Sequence, residues 1–101
     1  MTNKMTFFKE QEKNFKTLKQ YVPVVARVHG GTHPVFYEVQ RYFDAIIDKS
    51  NDKSLEKSAL TEEFIKLREV THDYMVPNDV CESYEAVYML LEELDKAYHA
   101  L

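Results

Sequence analysis

Residues Val25–Pro34 read "VARVHGGTHP" and hold both glycines of the chain and two of its four histidines. Upstream, Phe8, Phe15, Leu18, Val22, Val25 and His29 fall on one stripe of an amphipathic helix. Gly30 is placed to supply the left-handed residue that closes that helix. Thr32 then fits a cap, and Pro34 fits the first turn of the next helix. A helix stop followed at once by a helix start is a tight reversal, so the chain begins as two antiparallel helices.

Working outward from that reversal, the first helix is predicted from Thr6 to His29. Pro23 lies inside it and removes one backbone hydrogen bond, which predicts a kink near Gln20 or Tyr21. The second runs from Thr32 to about Lys49 on a stripe of Phe36, Val39, Phe43 and Ile46, and "DKSNDKS" (48–54) ends it. The third lies between Ser54 and Tyr74, with Leu60, Phe64, Leu67, Thr71 and Tyr74 inward. Thr61, Glu62 and Glu63 offer a fresh start, so 54–60 reads as either a separate turn or part of this helix. The fourth spans Asp79 to Leu101, with Asp79 and Glu82 spaced as a capping box. Val80, Tyr84, Val87, Leu91, Leu94, Tyr98 and Leu101 repeat there at four and three residues. No segment alternates as a strand does. The fold predicted is all-α, an antiparallel up-down-up-down four-helix bundle, with the first helix kinked near Pro23 and residues 1–101 forming one domain.

Composition narrows the function. Hydrophobic residues are 45% and charged residues 30% of the 101, the balance of a globular chain. No run approaches the ~18 apolar residues of a membrane span, and no apolar export signal opens the sequence. A single cysteine, Cys81, fits a reducing compartment, so a cytoplasmic location is expected. The net charge of −4 argues against nucleic acid as a partner, even though Lys9, Lys13 and Lys16 share a helix face.

The residues able to do chemistry are few. His29, His33, Glu69, His72 and Cys81 all lie near predicted helix ends, and the bundle topology predicts that all five sit at the end holding the 30–33 turn. Together they would form a weak site for one iron or zinc ion. His99 is predicted at the opposite end, about 30 Å away for a helix of roughly 20 residues. Glu69-x-x-His72 is one copy of an element that carboxylate-bridged di-metal bundles use twice. His29 follows Val25 on the inward stripe, where it suits a helix C-terminus as well as a metal. Cys81 is predicted as a small buried residue, with a reactive thiol at a helix start as the alternative. There is no zinc spacing, phosphate loop or nucleophile elbow, so no enzyme is predicted.

Two stretches, "KQYVPVVARVHGGTHPVFYEVQRYFDAI" (19–46) and "LREVTHDYMVPNDVCESYEAVYMLLEELDKAYHAL" (67–101), resemble the repair-of-iron-centres proteins. These are hemerythrin-like di-iron proteins that help restore iron–sulfur clusters after nitrosative or oxidative damage. The resemblance implies a four-helix bundle and a role in cytoplasmic iron or redox stress. It also implies a damaged iron–sulfur protein, or another protein, as partner. His29 matches the family's histidine in its "VHG" turn. The family's irons sit on histidines and carboxylates from all four helices, with His-x-x-x-Glu pairs on two of them. No such pair occurs here, and Lys57 stands near a family histidine position. A complete di-iron site is therefore not expected. The alternative is a metal-free interaction module, since seven Tyr and six Phe exceed what four short helices need inside. Such a module would form a homodimer or bind a partner helix.

Overall fold

A computed structural model describes residues 4–50 and 60–100. These described residues hold five helices: α1 (Lys4–Glu10), α2 (Glu12–His29), α3 (Val35–Ser50), α4 (Thr61–Thr71) and α5 (Glu82–His99). No strand occurs among the described residues. Lys57 and the predicted start at Ser54 lie outside them, as does Leu101.

The first predicted helix is two helices. Gln11 leaves helical geometry at φ −98° and ψ 11°, while the hydrogen bonds Gln11 N–H to Phe7 O (3.0 Å) and Phe15 N–H to Gln11 O (2.9 Å) run across it. The break turns Phe7 inward in place of Phe8, so Phe7 packs edge-on to Phe15 and Tyr98. No such break occurs at Pro23, where α2 continues to His29. Pro23 and Lys19 are both exposed, so the carbonyl that the proline leaves unpaired faces water.

The reversal also differs from its prediction. Gly30 is right-handed, at φ −58° and ψ −33°, and donates its N–H to Ala26 O at 2.9 Å. Space, not handedness, requires this glycine: a Cβ there would run into the Tyr37 ring and the Ala26 carbonyl. Gly31 has nothing within 4 Å of such a Cβ. Thr32 lies in the turn, its N–H bonded to His29 O at 3.1 Å, because α3 begins only at Val35.

Neighbouring helices pack antiparallel. The short turn reverses α3 against α2. Lys49 at the end of α3 meets Glu63 at the start of α4 at 2.9 Å. His29 at the end of α2 meets Cys81 before α5, while Phe7 meets Tyr98 near the end of α5. The Tyr98 hydroxyl receives the Leu60 N–H at 3.1 Å and holds the start of α4. The predicted inward stripes are buried: Leu18, Val22 and Val25 from α2; Phe36, Val39, Phe43 and Ile46 from α3; Phe64 and Leu67 from α4; Tyr84, Val87, Leu91 and Leu94 from α5. Each fully buried side chain of this size contributes roughly 1.5–3 kcal/mol. The molecule is elongated, 42 × 23 × 18 Å, so groups at opposite helix ends are far apart.

Candidate functional site

Three of the five predicted site residues meet at the end holding the glycine turn. His29 closes α2 and Cys81 immediately precedes α5, and their Nε2 and Sγ lie 3.1 Å apart. His33 follows across the turn, its N–H bonded to His29 O at 2.7 Å. Its Nε2 lies 3.1 Å from Asp79 Oδ1 in an ion-pair contact. Asp79 therefore does not cap α5 as predicted; Cys81 occupies that position, with no side-chain capping bond.

Behind the two imidazoles stands Tyr84. Both rings meet it at 5.6 Å, His29 edge-on, and Phe36 packs on it at 4.9 Å. The Tyr84 and Tyr88 hydroxyls lie 3.2 Å apart. Burial pushes both phenols above their ordinary range, so they stay neutral and serve as a wall. Cys81 is exposed, which corrects the prediction of a small buried residue. The extended conformation before α5, φ −81° and ψ 172°, carries it out of the helical stripe.

Glu69 and His72 do not join this cluster. With 11 residues, α4 extends only about 16 Å, against about 27 Å for α5 with 18. Its end therefore lies beside the C-terminal half of α5: Arg68 is 3.1 Å from Asp95 and 3.3 Å from His99. The remaining climb to Cys81, about 20 Å, is made by the connection after His72. His99, predicted far from this helix end, is thus next to it. Glu69 is exposed and faces Lys66 at 3.9 Å. His72 is exposed and caps α4 in the left-handed region, φ 53°.

A second polar cluster centres on Asp95, which is buried. Tyr74 donates its hydroxyl to Asp95 Oδ2 at 2.6 Å, and His99 Nδ1 lies 2.8 Å from Oδ1. Burial first, then this hydrogen bond, raise the Tyr74 phenol above its ordinary range. Asp95 is adjacent to Leu94 on the stripe, and only its spacing of four from His99 hints at the pair. The stripe places Tyr74 inward, as it is, but neither its bond to Asp95 nor the part of Arg68 is marked in the sequence. These contacts hold α4 on α5.

The donors among the described residues do not gather as two irons would require. Among the described residues, no three His, Cys, Asp or Glu side chains gather as a metal-holding group. Di-iron bundles need carboxylates and imidazoles projecting inward from facing helices. Here the inward positions carry aliphatic and aromatic side chains, and the buried polar residues described are Thr71 and Asp95. Thr71 is engaged, donating to Leu67 O at 2.6 Å and accepting the Tyr74 N–H at 2.8 Å. What the cluster at the turn offers is a thiol beside an imidazole, open to solvent on one side.

No protein-family model matches the chain, and no solved structure does. Among curated proteins it is similar to "Iron-sulfur cluster repair protein ScdA" of Staphylococcus haemolyticus (strain JCSC1435), at 25% identity over 124 residues. The match takes in 92% of this chain and 56% of the relative, so the chain spans little more than half the relative's length. The alignment is longer than the chain, so the relative carries residues within it that have no counterpart here. The two are distant homologues over nearly all of the present chain. No helix described is long and apolar enough to cross a membrane.

Proposed function

On the premise of that distant homology, we propose that this chain is a short hemerythrin-like relative of the iron–sulfur cluster repair proteins. It acts in cytoplasmic iron and nitrosative–oxidative stress without a complete di-iron site, as a binding protein rather than an enzyme. The observation that carries the second half of this reading is the interior: the inward faces of α2, α3, α4 and α5 are lined by side chains such as Val22, Val39, Phe43, Leu67, Val87 and Leu91, which have no lone pairs for iron. The chain then serves the pathway by contact with a damaged iron–sulfur protein or with another protein. Tyr21, Val24 and Val28 on the outer face of α2 are exposed apolar side chains of the kind protein interfaces use.

A deletion strain tests the pathway. After a nitric-oxide pulse, with protein synthesis blocked, recovery of an iron–sulfur dehydratase activity is followed over time. The expected outcome is slower recovery in the deletion strain, restored by the gene in trans. Identical recovery with and without the gene contradicts the reading.

A further inference from the structure

We propose that Cys81 is an exchange thiol that forms mixed disulfides with small-molecule disulfides, with His29 handling its proton. This goes beyond the repair reading and stands without it.

The pair is assembled from distant parts of the sequence. His29 ends α2 and Cys81 precedes α5, 52 residues later, yet Nε2 and Sγ are 3.1 Å apart. The His29 ring is steadied by the edge contact with buried Tyr84, at 5.6 Å and 90°. The sulfur is exposed, so a disulfide can reach it. No side-chain hydrogen bond caps the start of the 18-residue α5, where Cys81 stands.

The step balances without any group beyond the two reactants. The thiol proton passes from Sγ to His29 Nε2. The thiolate attacks one sulfur of the small disulfide, an Sγ–S bond forms and the original S–S bond breaks. The other half leaves with the electron pair as a thiolate and takes the proton from the His29 imidazolium. Cys81 is oxidised to the mixed disulfide, and half of the small disulfide is reduced to a thiol.

Asp79, Glu82 and Glu85 are neighbours of Cys81 in sequence, and Asp79 is turned towards His33. A cationic disulfide, cystamine, is therefore the probe of choice.

The full-length folded protein is mixed with excess cystamine at neutral pH, and the adduct is followed by intact mass. The expected result is one adduct per chain, absent in Cys81→Ser, forming about tenfold or more faster than in the urea-unfolded chain. His29→Gln slows the reaction towards the unfolded rate, and His33→Gln leaves it largely unchanged. A folded rate no faster than the unfolded one overturns the proposal, and that comparison needs no variant. A His29→Gln rate equal to wild type overturns the role of His29.

Discussion

The two glycines of the reversal, identical in composition and adjacent in sequence, do different work. Gly30 sits where the Tyr37 ring and the Ala26 carbonyl approach, and Gly31 sits in open space. Gly30→Ala is therefore expected to cost about 1–3 kcal/mol by forcing those neighbours apart. Gly31→Ala, at a backbone angle that alanine accepts, is expected to be neutral or to stabilise by about 0.5 kcal/mol. Urea unfolding of the two variants measures the difference, and equal costs would refute the packing explanation. At this scale the sequence marks the glycines as a reversal but misassigns the reason, because a close approach by Tyr37 leaves no trace in local spacing. The same limit explains Asp79. A cap and an ion-pair partner for His33 both call for an acidic residue before a helix, and only the turn across the molecule decides between them.

Helices are legible where their stripes are long. The α5 stripe from Tyr84 to Tyr98 and the α3 stripe from Phe36 to Ile46 are buried as spaced. Ends are less legible, and one end governs the site. The placement of Glu69 and His72 beside His29 assumes a third helix as long as its neighbours. Because α4 stops at Thr71, both residues fall short of the turn by several helical turns. The stop is unusual: His72, Asp73 and Tyr74 all have positive φ, 53°, 60° and 64°. Three such residues cost roughly 1–2 kcal/mol each and are held by the Thr71 and Asp95 hydrogen bonds to Tyr74. His72 is exposed, so His72→Gly should relieve strain and raise stability by about 0.5–1 kcal/mol in thermal or urea unfolding. A clear loss of stability would show that the imidazole makes a contact worth more than the strain.

At the scale of the molecule, the described interior is built from packed side chains, where a metal-holding bundle turns carboxylates and imidazoles inward. That interior is filled with packed rings and aliphatic chains, Phe36, Tyr84 and Tyr88 among them, with Thr71 and Asp95 as its buried polar residues. The all-helical architecture follows from pattern and composition, so it is legible in the amino-acid sequence. The bundle topology brings His29 and Cys81 to one end, but their direct contact across 52 positions and the Tyr74–Asp95 bond across 21 are set by packing that local spacing does not record. Under the proposed function, kinship with a repair protein is compatible with this interior: a packed core preserves the bundle, and surface groups are left to carry the role. The most direct measurement is iron per chain in untagged protein purified from iron-supplemented cells and desalted before elemental analysis. The expected ratio is far below one, whereas about two tightly held iron atoms per chain would contradict the assignment of the interior as ligand-free.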